Sequence, residues 1–289
     1  MRAVHKSQSP SRPVVRYHGG KWNLAPWIIS CFPKHRIYVE PFGGAASVLL
    51  QKQRSYAEVY NDLESEIVNV FRVLRNRNSA IELERRLKLT PFARDEWRNA
   101  YSPGDDSIER ARCMIVRAYM GFGSASTNPA HTTGFRASSN KSGTTPAHDW
   151  ANFSEIISQI TARLQGVCIE RRPALQVVAS HDSPETLFYV DPPYVRETRE
   201  QRQRSVYRFE LSDRQHRNLG RALLTLEGMV VISGYACDLY DRELFADWLR
   251  VERPCNADGA RPRIEVLWIN KAAESRLLQA NLFRNSGAG

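Results

Sequence analysis

Apolar positions along the chain follow two rhythms that alternate. In "RIYVEPFGGAASVLLQ" (36–51), β-forming Ile37-Tyr38-Val39 run into a Gly43-Gly44 turn, and small Ala45-Ala46-Ser47 then open a helix carrying Val48, Leu49 and Leu50. "AEVYND" (57–62) reads as a second short strand ending in an acid. In "LESEIVNVFRVLRNR" (63–77), Ile67, Val70, Phe71 and Leu74 recur at helical spacing. Two strand–helix units in succession predict a Rossmann-like α/β sheet. Upstream, "RYHGGKWNLAPWI" (16–28) reads as a two-glycine turn entering an amphipathic helix.

From about residue 76 to 172 the rhythm changes. Helical segments are predicted near 80–87, 92–100, 107–120 and 152–164, around a polar stretch "GSASTNPAHTTGFRASSNKSGTTPAHDW" (123–150) whose composition suits a mobile or partner-ordered loop. The α/β pattern resumes with Leu187–Val190 as a strand, 212–225 as a helix, and "GMVVIS" (228–233) and "RIEVLWIN" (263–270) as strands. The expected organisation is one α/β core, 1–75 and 173–289, interrupted by a mainly helical insert, 76–172. No internal repeat is visible.

Composition narrows the class. The chain has 289 residues with 42% hydrophobic and 10% aromatic side chains, enough for a sizeable core. Lys and Arg outnumber Asp and Glu by 41 to 31, a formal charge of +10, and Arg predominates. That excess suits a polyanionic partner, nucleic acid above all, although a merely basic protein would share it. Five cysteines lie scattered without a CxxC pair, and seven histidines form no ligand-spaced pair. Reduced thiols, a cytoplasmic setting and no metal are therefore expected. No signal peptide or bilayer-spanning run is read.

The chemistry concentrates at "FYVDPPYVRET" (188–198). Proline cannot sit inside a sheet, so the buried strand must stop at Asp191. Alone, an Asp before Pro is a turn residue and a Tyr is packing. Together they suit a planar heterocycle with an exocyclic amine. Tyr194 offers a stacking face, the Asp191 carboxylate accepts one amine hydrogen, and the Pro192 carbonyl, aimed by the rigid Pro192-Pro193 turn, accepts the other. Two acceptors localise the nitrogen lone pair that the ring otherwise withdraws. Asp62, 19 residues after Gly43, stands where ribose hydroxyls are held in Rossmann-type sites. The GxGxxG fingerprint is absent, which disfavours a dinucleotide and leaves S-adenosylmethionine as an adenosine ligand without pyrophosphate. The Gly43-Gly44 turn by itself fits a purely structural role equally well.

With these residues assembled, the chain resembles the Dam-type DNA adenine-N6 methyltransferases. The matches are "YHGGK" (17–21), "EPFGG" (40–44), "ND" (61–62), "DPPY" (191–194), "ISGY" (232–235) and "EVLWIN" (265–270), in the family's order. The resemblance implies a Rossmann-like S-adenosylmethionine-dependent methyltransferase core with the insert as target-recognition lobe. It further implies a cofactor site drawing on Tyr17, Gly19, Gly20, Lys21, Glu40, Phe42, Gly43, Gly44, Asp62 and Asp191, with duplex DNA as partner and a flipped adenine as substrate. Position 17 is Tyr where Trp is common in the family, and His18 replaces a small residue.

Residue type alone nominates Arg117, Asn128 and Arg136 in the insert for DNA contact, since Arg suits guanine and Asn adenine. Solvated or capping roles fit them as well. The run after the clamp nominates Arg196, Arg199, Arg202 and Arg204 for phosphates beside the flipped nucleotide. A monomer or weak dimer is expected. The competing functions are methyl transfer to RNA or a protein amide, and an idle DNA-binding relative.

Overall fold

The computed structural model describes residues 9–127, 133–137, 144–198, 209–257 and 261–286. In chain order, its first half holds α1 (Ala25–Ser30), β1 (Ile37–Glu40), α2 (Ser47–Gln51), β2 (Ala57–Asn61), α3 (Ser65–Arg75), α4 (Arg77–Leu89), α5 (Arg94–Asn99) and α6 (Ser107–Met120). Then follow α7 (Pro146–Ala151), α8 (Ile156–Leu164), β3 (Val167–Glu170), α9 (Ala174–Ser180), β4 (Thr186–Val190) and α10 (Asp213–Leu224). The last elements are β5 (Met229–Gly234), a π-helical turn (Leu239–Leu244), β6 (Leu249–Ala257), β7 (Arg261–Ile269) and α11 (Lys271–Ser286).

The strands form one seven-stranded sheet in the order β3-β2-β1-β4-β5-β7-β6. β1 pairs in parallel with both β2 and β4, and β4 in parallel with β5. β7 enters antiparallel between β5 and β6. β4 and β5 are buried at every position, as central parallel strands covered on both faces must be, and their sequences TLFYV and MVVISG are accordingly almost wholly apolar. Strand order reverses between β1 and β4. Ligands bind outside the carboxyl ends of strands at such a switch point.

The chain divides into two compact units. The sheet unit comprises 23–43, 53–63 and 170–289. Its core gathers Phe188, Val190, Val230, Ile232, Tyr240 and Trp268, with Leu219 and Leu223 of α10 packed onto them. α10 begins with a capping box, in which Ser212 and Gln215 satisfy each other's backbone N–H groups.

The helical unit comprises 1–22, 44–52 and 64–169. At its centre is α6, buried on every side from Cys113 to Met120, with Arg117 the one charged side chain in that stretch. Asp106 caps it, accepting from the N–H groups of Ile108 and Glu109, each at 3.2 Å. α3 packs against α6 and α8, so packing groups α2 and α3 with the insert. The segment 1–75 is thus shared between the units.

The polar stretch 123–150 is not all loop. Pro146–Ala151 is helical, and Trp150 donates to the Thr90 carbonyl at 2.7 Å and stacks on Phe153. At the end of α6, Phe122 donates to the Gly134 carbonyl and Arg136 to that of Met120, both at 2.7 Å. The two segments thereby form a short antiparallel ribbon about the Gly121–Phe135 bridge. β3, α9, β6 and α11 have no counterpart in the sequence expectations. β6 is hard to read because LRVERPCNA mixes charges and a proline into an edge strand.

Candidate active site

β4 ends as its sequence requires. Leu187 to Val190 are buried and Asp191 is half-buried at the strand's carboxyl end, followed by buried Pro192 and half-buried Pro193 and Tyr194. In the neighbouring strand, Ile232 is level with Val190, so Ser233 comes alongside Asp191. Ser233 is fully buried, and its hydroxyl donates to Asp191 Oδ1 at 2.8 Å. The Tyr189 hydroxyl lies 3.1 Å from the same Ser233 oxygen. A serine hydroxyl has one proton, so Tyr189 donates to Ser233 and Ser233 to Asp191. Burial holds the Tyr189 phenol well above its usual range, keeping it a donor.

The next ring is held just as firmly. The Tyr194 hydroxyl donates to the Glu265 carboxylate on β7. Tyr235 meets the Tyr194 ring edge-to-face, with centroids 4.7 Å apart. The Arg263 guanidinium lies 5.8 Å from the Tyr235 centroid. Burial first, and then the Glu265 charge, hold the Tyr194 phenol well above the usual tyrosine range.

At the tip of β1, Glu40 is 2% exposed and accepts from the Tyr38 hydroxyl at 2.6 Å. Phe42 packs, partly buried, on the sheet core. The Gly43 N–H donates to the Asn61 carbonyl at 2.7 Å, and a Cβ on Gly43 would come within 2.2 Å of the Tyr60 ring. The close approach that demands glycine here is therefore to Tyr60. Asn61 is fully buried and entered the sequence reading only as half of the "ND" match, with no role of its own. Its Nδ2 donates to the carbonyls of Pro41 and Arg172 at 2.9 and 3.0 Å, and its Oδ1 accepts from Arg172 N at 2.8 Å. An asparagine at a strand end reads only as a turn residue, yet this one staples the β1 and β2 tips and so sets the half-buried Asp62 beside them.

Within the helical unit, Tyr17–Gly20 form a four-residue turn closed by Gly20 N–H to the Tyr17 carbonyl at 3.0 Å. Gly19 has φ 71°, the positive value required at the third position of a type II turn. Lys21 follows, 7% exposed, with its ammonium donating to the Gly19 carbonyl at 3.0 Å. Gly44, at φ 46°, lies against the Tyr17 ring, whose carbons would be 3.4 Å from an added Cβ.

The DNA-contact candidates divide. Arg117 is 1% exposed, its guanidinium donating to the Ala100 carbonyl and lying 5.7 Å from the Tyr101 centroid. A side chain enclosed this way braces α6 against the segment after α5 and does not reach DNA, so Arg117 leaves the candidate set. Arg136 is half-buried in the ribbon at the end of α6, and Arg196 is exposed in a short turn after the clamp. Asn128, Arg199, Arg202 and Arg204 lie outside the described residues.

Within the sheet unit, the half-buried carboxylates at strand tips (Asp62, Asp191) suit the hydroxyl and amino groups of an S-adenosylmethionine-type ligand. Among the described residues, no cluster of three or more His, Cys, Asp or Glu could hold a metal ion, and no helix is long and apolar enough to cross a membrane. A comparison with curated proteins gives no match. The pattern of the D12 class N6 adenine-specific DNA methyltransferases matches residues 17–254, which bears out the Dam-type resemblance and the methyltransferase core it implies. The chain belongs to the D12 class N6 adenine-specific DNA methyltransferase family.

Proposed function

We propose that this DNA adenine-N6 methyltransferase holds its target base at the tip of β4 and its cofactor at the tips of β1 and β2. Asp191 and the Pro192 carbonyl accept the two hydrogens of the adenine amine, and Tyr194 stacks on the ring. Stacking of a base on an aromatic side chain is worth roughly 1–3 kcal/mol. Ser233 fixes the orientation of the Asp191 carboxylate, so the acceptor is in place before charge develops on the nitrogen. The amine is inaccessible inside a duplex, so the adenine is flipped out of the stack.

S-adenosylmethionine supplies an electrophilic methyl group on a sulfonium. For its binding, Asp62 suits the ribose hydroxyls and Phe42 the adenine face. Lys21 and Tyr17 are assigned through the "YHGGK" resemblance, supported by the burial of the ammonium. Arg136 and Arg196 are the described candidates for DNA, and Asn128, Arg199, Arg202 and Arg204 remain candidates from residue type.

The observation that carries this reading is the Ser233–Asp191 hydrogen bond, 2.8 Å long, at the carboxyl edge beside the β1/β4 switch point. Incubating adenine-unmethylated duplex DNA with labelled S-adenosylmethionine tests it. Label in N6-methyladenine with the native chain, lost in Asp191→Ala that still melts cooperatively, is the expected result. Equal activity in Asp191→Ala would end the clamp assignment. Label in RNA or protein but not in DNA would end the substrate assignment.

A further inference from the structure

Glu265 is a carboxylate only 2% exposed, in a place where sheet packing alone would favour an apolar side chain. β7 pairs with β5 as far as Val266, opposite Gly234. Glu265 is therefore one step past the carboxyl end of β5, on the edge of the sheet where β4 ends in Asp191. There it accepts the hydroxyl proton of Tyr194, the last residue of the clamp. Hydrogen bonds to a charged acceptor are roughly twice as strong as neutral ones, so the phenol has a strongly preferred position.

The same ring is confined from a second direction. Tyr235 lies edge-on to it at 4.7 Å. Arg263, two residues before Glu265 and so on the same face of β7, lies over Tyr235 at 5.8 Å. With its hydroxyl tethered to Glu265 and the Tyr235 ring packed against it, the Tyr194 ring has a preferred orientation before any base arrives. A stacking face that is already oriented costs less ordering when the base arrives.

Resting on the reading of Tyr194 as the stacking face, we infer that Glu265 is a positioning residue for methyl transfer: by holding the Tyr194 hydroxyl it fixes the ring on which the target adenine stacks. It acts through Tyr194 and not on the cofactor. Removing either partner therefore has the same consequence, and removing both adds nothing further.

The experiment compares the native chain with Glu265→Met, Glu265→Gln, Tyr194→Phe and Tyr194→Phe/Glu265→Met. Each is assayed for kcat and KM on adenine-unmethylated duplex DNA and for S-adenosylmethionine affinity by direct titration. Methionine is close in volume to glutamate, so it removes the acceptor without opening a cavity. Glu265→Met and Tyr194→Phe are each expected to lower kcat on the order of tenfold, with cofactor affinity held within about twofold. The double variant should be no slower than the slower single one. Glu265→Gln, whose amide oxygen still accepts, should recover much of the rate.

Losses that multiply in the double variant, a loss expressed in cofactor affinity, or full activity in Glu265→Met would each overturn the inference. Should Glu265→Met not melt cooperatively, Tyr194→Phe and Glu265→Gln decide: a kcat loss in Tyr194→Phe with near-native kcat in Glu265→Gln supports the inference, and native kcat in Tyr194→Phe, whose ring remains but whose tether is gone, overturns it. An inactive native chain would instead overturn the underlying reading of the β4 tip, and this inference with it.

Discussion

A Cβ on Gly43 would stand 2.2 Å from the ring of Tyr60, while the Gly43 N–H is already bound to the Asn61 carbonyl at 2.7 Å. The turn at the end of β1 is thus pressed onto the end of β2, and neither can shift without the other. Gly43→Ala is expected to destabilise the chain by about 1–3 kcal/mol through overpacking and to weaken S-adenosylmethionine binding by displacing Asp62. Thermal unfolding and cofactor titration check this. An unchanged melting temperature would mean that Tyr60 moves aside freely.

Ser233 stands between two groups with different needs. It donates to Asp191 and accepts from the buried Tyr189 phenol. Ser233→Ala should cost about 1–3 kcal/mol of stability, because the Tyr189 hydroxyl is left buried without an acceptor, and should lower kcat, because Asp191 loses its orienting donor. Adding Tyr189→Phe removes the stranded hydroxyl and should restore most of the stability but none of the rate. Parallel urea titrations and turnover assays separate the two effects. A rate that recovers together with stability would show that Ser233 matters only for packing.

Legibility in the sequence tracked how local each constraint is. The β4 tip could be read because a buried apolar run, an acid and two prolines are adjacent, and Asp62 because strand-end spacing is a short-range rule. Glu265 could not: it meets Tyr194 across 71 residues and an intervening strand, through an antiparallel insertion that no periodicity announces. Asn61 and Ser233 look like turn and strand residues, and only the parallel register turns them into a staple and a donor. Arg117 misled because arginine favours the surface. Here α6 is enclosed on all sides, and the side chain finds a backbone carbonyl inside.

Two thiols set an alkaline limit. Burial pushes Cys113 and Cys237 from an ordinary 9.0 up to about 11. Between those values the unfolded chain has given up the protons that the folded chain retains, so ionisation favours unfolding. Stability present below pH 9 is lost as pH rises toward 11. The urea midpoint should therefore fall across this window, and fall less steeply in Cys113→Ala/Cys237→Ala. Equal slopes would mean that the tyrosines, Tyr38 and Tyr189 among them, dominate the alkaline transition.

Arg117 and Arg196 make opposite predictions. Arg117 is enclosed, bound to the Ala100 carbonyl, and burial lowers its pKa from the usual arginine value. Arg117→Ala should cost about 2–5 kcal/mol, as other large-to-small core changes do. Arg117→Met, which keeps most of the volume and removes a charge that is costly to bury, should cost much less. Neither should alter how DNA affinity depends on salt, because a guanidinium that neutralises no phosphate releases no counterion. Arg196 is exposed beside the clamp, and Arg196→Met should leave stability unchanged while reducing the slope of log K against log salt by about 0.9. Fluorescence anisotropy with labelled duplex over a salt series measures both slopes on the same day. A reduced slope in Arg117→Met would mean that α6 opens when DNA binds, and an unchanged one in Arg196→Met would place the phosphates elsewhere.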